Sequence, residues 1–120
     1  MRSSNGEVRI FNVLRDSGLP FQEEYEFPDL VSKYGKHLRF DFCVFNRDGS
    51  ILFLVEYQGK QHYVPIRRFG GEKGYHRQLQ NDRLKREYCL RHGYNLVTVP
   101  YWEENNITYE YIMRSAGLEV

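Results

Sequence analysis

The sequence predicts an α/β fold, a small mixed sheet flanked by helices, with the element order α-β-β-β-α-β-α. Three observations carry this prediction. Two runs rich in Val, Ile, Leu and Phe, Leu38 to Phe45 and Ile51 to Gln58, flank the turn sequence Asn46-Arg47-Asp48-Gly49 and predict an antiparallel hairpin. The stretch from Gly74 or Tyr75 to His92, stopped by Gly93, has the length and the terminator of a helix. Leu96 to Val99, ending at Pro100, then returns as a strand, an alternation that calls for helices packed on a sheet.

The remaining elements follow in chain order. A first helix starts at Ser4 or Asn5, polar residues suited to capping, and runs to about Asp16 with Gly18 just past its end. Phe11 and Leu14 are its expected buried stripe, and Glu7, four and seven residues earlier, falls on the same inward side. Two readings of Glu7 stand open here, an acid aimed inward or a first-turn acid complementing the helix dipole. Pro20 and the alternation in Phe21 to Phe27 predict a strand, placed at the sheet edge by its many Glu, and Pro28 to Lys36 reads as a loop. Pro65 and Gly70-Gly71 mark the loop before the long helix, and Asn105 or Asn106 is the expected cap of a last helix running through Arg114.

Composition bounds the function. The 120 residues, 41% hydrophobic with ten Tyr and eight Phe, suit one folded domain over 1–120 and exclude a disordered chain. The longest uncharged apolar run, Ile51 to Val55, is too short to span a membrane, and Arg2 to Arg9 is polar, so the expectation is a cytoplasmic chain with no membrane partner. Cys43 and Cys89 are expected as reduced core thiols. Net charge is only +1, but Lys60 to His92 holds nine Lys or Arg against three acids. That basic middle is compatible with phosphate on one face, although charge alone favours an ordinary solvated helix face.

The candidate chemistry lies on the hairpin. With an even number of loop residues, Asp41 faces Leu54 or Glu56, and Asp41, Glu56 and Gln58 project from one side. A three- or five-residue loop would separate Asp41 from Glu56. Two carboxylates side by side in an apolar hairpin call for a neutralising cation or proton, and oxygen ligands suit Mg²⁺ or Mn²⁺. After Glu56, Gly59 ends the strand and carries Lys60, Gln61 and His62 over it, where an imidazole suits proton transfer. Asp82, inside the long helix on a stripe with Tyr75, Leu79, Arg86 and Cys89, is expected to look inward. It either pairs with Arg86 or orients His62. Lys60, Arg67, Arg68, Arg83 and Lys85 are the candidate phosphate contacts.

An Asp followed across a hairpin by Glu-x-Gln, within α-β-β-β-α-β, resembles the PD-(D/E)xK nuclease superfamily, with Gln58 where the family more often has Lys. More narrowly, Glu7, Asp41, Glu56-Tyr57-Gln58-Gly59, His62 and Asp82 resemble the very-short-patch-repair nucleases, and still more the phage homing endonucleases with a Glu-Asp-x-His-Asp signature. The resemblance spans about residues 6 to 103. It implies a restriction-endonuclease-like core and Mg²⁺- or Mn²⁺-dependent hydrolysis of DNA, with double-stranded DNA as the implied partner, in a bacterial or phage-infected cell. It makes Asp41 a metal ligand, Glu56 the variable metal-side residue, His62 the general base, and Glu7 and Asp82 their supports. Homing enzymes of this type carry separate DNA-binding modules, and the modest charge here fits an isolated catalytic domain.

Three other readings remain. A nuclease fold that has lost catalysis would bind DNA without cutting it. An RNA-directed or defence nuclease would apply the same metal chemistry to another polymer. A structural zinc site from His62, His76 and the cysteines lacks any paired Cys-x-x-Cys or His-x-x-x-His spacing.

Overall fold

A computed structural model describes residues 4–120. Ser4 caps the first helix, α1 (Asn5–Ser17), by accepting the Glu7 N–H, and Gly18 ends it at φ 77°, a left-handed conformation that a glycine adopts freely. Gly6, Ile10 and Leu14 are its buried residues, while Phe11 is only partly buried, so the stripe is centred one residue earlier than the sequence suggested. Gly6 is where α1 approaches the sheet most closely. A Cβ there would overlap the ring of Tyr57.

Strands β1 (Phe21–Val31), β2 (His37–Phe45), β3 (Ile51–Gln58) and β4 (Leu96–Pro100) form one sheet in the order β1-β2-β3-β4. The first two pairings are antiparallel and the third is parallel. Between β3 and β4 the chain crosses through α2 (Gly71–His92), as a parallel pair requires. A last helix, α3 (Tyr109–Ser115), follows a 3₁₀ stretch over Tyr101–Asn106. The predicted mixed sheet with flanking helices is thus observed.

Four local expectations are corrected. The strand β1 continues through Pro28 to Val31 instead of yielding to a loop. Edge placement allows it, since a proline there forfeits no inner ladder bond, and the register shifts between Glu26 and Val31. The long helix starts at Gly71, three or four residues before the expected Gly74 or Tyr75, because Gly70 at φ 92° turns the chain into it. The last helix is capped by Thr108, whose side chain accepts the Tyr111 N–H, and not by Asn105 or Asn106. Finally, Leu79 and Arg86 are exposed and not part of an inward stripe with Asp82 and Cys89.

Two apolar clusters cover the sheet. Ile10 and Leu14 of α1 and Ile112 and Met113 of α3 pack on Phe42, Val44, Phe53, Val55, Val97 and Val99. Tyr88 and Cys89 of α2 pack on Phe27, Leu30, Phe40, Cys43 and Leu54. Both cysteines are buried and free, as expected. Among the described residues no helix is long and apolar enough to cross a membrane.

Candidate functional site

The site begins with the register of the hairpin. Five residues separate β2 from β3, the number that should place Asp41 and Glu56 on opposite faces. An irregularity beside the turn cancels this. Phe45 pairs with Ile51, but Val44 pairs with Phe53, so one extra residue is absorbed on β3 and the following pairs run Cys43 to Leu54 and Phe42 to Val55. Continued by one step, that register sets Asp41 opposite Glu56. There the side chain of Asp41 takes over from the ladder, its Oδ2 accepting the Tyr57 N–H at 2.7 Å.

On the other side of β2, the pairs Glu23 to Phe42 and Tyr25 to Phe40 leave Glu24 opposite Asp41. Glu24 is the one non-glycine with positive φ among the described residues, at 54°. Carboxylate oxygens of Glu7, Glu24 and Asp41 all lie within 4.8 Å of one another. Glu7 is steadied by Ser4, whose hydroxyl donates to its Oε1 at 2.9 Å. Burial pushes the Asp41 carboxyl up to about 6, and Glu7 and Glu24 push the same way, against the Tyr57 N–H and the Lys85 cation. Sequence reasoning had located Glu7 and Asp41 but not Glu24, because nothing in a run of glutamates marks the one whose backbone turns left-handed.

Glu56 stands apart from these three. It is 5% exposed, and its Oε1 accepts from Lys85 Nζ at 2.9 Å. Burial raises its proton affinity, while the adjacent ammonium opposes that shift. Lys85 is therefore not a surface phosphate contact as expected. Its side chain is 12% exposed, and its Nζ lies 5.6 Å from the centre of the Phe40 ring.

His62 ends a 3₁₀ turn over Lys60–His62, immediately beyond β3. Its Nδ1 is 2.9 Å from Asp82 Oδ2, with both side chains nearly buried, and Gln78 Nε2 donates to Asp82 Oδ1 at 3.0 Å. An ionised carboxylate only accepts, so it holds the imidazole with Nδ1 protonated and leaves Nε2 for proton exchange. Of the two readings for Asp82, contact with His62 is the one observed. Gln58 accepts from the Tyr63 hydroxyl at 2.8 Å. Lys60, Arg67, Arg68 and Arg83 are all exposed, the last 3.8 Å from Glu87.

No protein-family model matches the chain, and no solved structure matches it. It is similar to two viral proteins. Uncharacterized protein 307L of Invertebrate iridescent virus 6 is 28% identical over 124 aligned positions, covering 92% of this chain and 63% of the relative. Uncharacterized protein 094L of Frog virus 3 (isolate Goorha) is 39% identical over 54 residues, 43% of this chain and 35% of the relative. The chain thus spans less than two thirds of the length of either relative.

Proposed function

We propose that the chain is a metal-dependent nuclease domain of restriction-endonuclease-like architecture that hydrolyses DNA phosphodiesters. The observation that carries this reading is the meeting of the Glu7, Glu24 and Asp41 carboxylates in a chain that also holds a nearly buried His62–Asp82 pair. Glu56 links the two groups, since it feels the charges of Asp41 on one side and Asp82 on the other. The order α-β-β-β-α-β with β4 parallel to β3 fits the proposed architecture.

The donor set suits a hard divalent cation. Three carboxylates within 4.8 Å, one of them shifted up to about 6, are mutually repulsive until a cation or a proton joins them. Asp41, Glu7 and Glu24 would hold Mg²⁺ or Mn²⁺, while Glu56, the other ligand expected from sequence, is engaged by Lys85. Bound there, such an ion would supply Lewis-acid chemistry toward phosphate and water. His62 exchanges a proton at Nε2 while Asp82 fixes the ring. Lys85 brings to Glu56 the positive charge that Gln58 does not supply.

This part of the protein would act as the catalytic domain of a mobile-element or homing endonuclease, with targeting left to other segments. The test is cleavage of plasmid DNA, single-stranded DNA and RNA in Mg²⁺, Mn²⁺ or EDTA. The wild type is expected to cut DNA only with metal, and Asp41→Asn and His62→Gln to cut at least a hundredfold more slowly. A wild type that binds DNA yet stays inert in every metal would instead be a binding module, and one that cuts only RNA would change the substrate.

A further inference from the structure

A groove of about 810 Å³ runs along the outer side of α2 and opens toward Tyr34, at the tip of the β1–β2 hairpin. Lys73, His76, Arg77, Arg83 and Arg86 line it, and no carboxylate does. Two nearby acids answer only part of this charge, Glu72 lying 3.8 Å from His76 and Glu87 3.8 Å from Arg83. Lys73, Arg77 and Arg86 make no ion pair among the described residues. Lys73 and Arg77 are also one helical turn apart, an arrangement of like charges that weakens a helix unless something binds them.

The groove does not stop at the helix surface. A second recess, of about 530 Å³, shares Arg77 with it and is lined by Gln61, Gln78 and Asn81. Gln61 precedes His62, Asn81 precedes Asp82, and Gln78 donates to Asp82. A concave path therefore leads from the unpaired cations to Gln78, the residue that donates to Asp82, and to the chain neighbours of His62 and Asp82. Gly74 keeps its floor tight, since a Cβ there would overlap the Phe69 carbonyl.

We propose that this groove is the track of a nucleic-acid phosphate backbone, with Lys73, Arg77 and Arg86 as its anchoring cations. The proposal rests on the nuclease reading for the identity of the polyanion. From Lys73 to Arg86 the helix rises about 20 Å, enough to meet several phosphates of one strand. Tyr34, 76% exposed at the mouth, offers a ring against which a base can stack. The local excess of cations also explains how a chain of net charge +1 can hold a polyanion.

The experiment measures binding to a labelled duplex and to a single strand in EDTA over a range of salt. It compares the wild type with Lys73→Gln/Arg77→Gln/Arg86→Gln and with Arg9→Gln/Arg15→Gln/Arg114→Gln, which removes equal charge from α1 and α3. Thermal unfolding checks that each variant is folded. The groove variant is expected to bind at least tenfold more weakly, with a log-log salt slope shallower by about 2–3 on duplex, at roughly 0.9 per lost phosphate contact. The control variant keeps the wild-type slope. Equal losses in both variants, or no loss in the groove variant, overturn the proposal, as does displacement of the nucleic acid by poly-glutamate at matched charge. Asp41→Asn separates the two readings: it should bind with the wild-type slope and not cut, and if it cuts normally the metal site falls while the groove stands.

Discussion

Lys85 Nζ and Glu56 Oε1 are 2.9 Å apart, joining α2 to β3 through a nearly buried ion pair. Removing one member of such a pair leaves the other charge without a partner, which costs more than the pair contributes. Lys85→Met is therefore expected to lower the unfolding free energy in urea by about 3 kcal/mol. Lys85→Met/Glu56→Gln should be less destabilised than Lys85→Met alone. Additive losses would show that the two side chains do not depend on each other.

The bond between His62 and Asp82 gives a kinetic prediction. Asp82→Asn can still accept from Gln78 but no longer fixes a protonated Nδ1. On the proposed nuclease reading, kcat with plasmid substrate and Mg²⁺ is expected to fall roughly 10- to 100-fold while KM and the urea midpoint stay near wild type. If the urea midpoint falls together with kcat, Asp82 serves the fold and not the imidazole.

Asp41 makes the metal-free protein sensitive to pH. Its carboxyl is shifted from 3.8 up to about 6 on folding, so between roughly pH 4 and pH 6 the folded chain holds a proton that the unfolded chain has released. Stability must then fall as pH rises through that window, by up to about 3 kcal/mol, and Glu56 moves in the same direction. Asp29 and Asp48 work the other way, held below the usual carboxylate range by the Tyr88 hydroxyl and by Ser50 respectively, and their stabilisation is lost only on further acidification. Urea unfolding in EDTA at pH 4.5 and pH 7 should show the drop in wild type and a smaller one in Asp41→Asn. Identical drops would acquit Asp41.

Glu24 holds a left-handed backbone conformation that a side chain makes unfavourable by about 1 kcal/mol or more. Glu24→Gly is expected to raise the stability of the metal-free protein by about 1 kcal/mol and to weaken Mn²⁺ binding measured by calorimetry. A variant that is more stable and binds Mn²⁺ normally would show that the strained residue does not serve the ion.

Much of this arrangement was legible in the chain. The Asn46-Arg47-Asp48-Gly49 turn, the long helix and the short run before Pro100 each obey a local rule, and together they predict the mixed sheet with flanking helices. The meeting of His62 with Asp82 was one of two pairings that the sequence left open, and the inward side of the helix proved narrower than the expected stripe, since Arg86 and Leu79 are exposed. Glu24 and Lys85 were not legible. A single backbone torsion decides where Glu24 points, and Lys85 lies inward only because Glu56 is there to receive it, a pairing across 29 residues that no local pattern encodes. Even the facing of Asp41 and Glu56 depended on one extra residue absorbed beside the turn.

Gly6 and Tyr57 extend the site in another direction. The ring of Tyr57 fills the space that any side chain at position 6 would need, and its hydroxyl donates to Glu104 at 3.1 Å, tying α1, β3 and the 3₁₀ stretch after β4 at one point. Divergence at these two positions is consequently linked. A descendant that enlarges residue 6 must shrink residue 57 or tilt the helix that carries Glu7, so the two columns should change together across distant relatives. In a genome where acids and histidines are too common to be diagnostic, that steric bond between a glycine and a ring could reveal kinship.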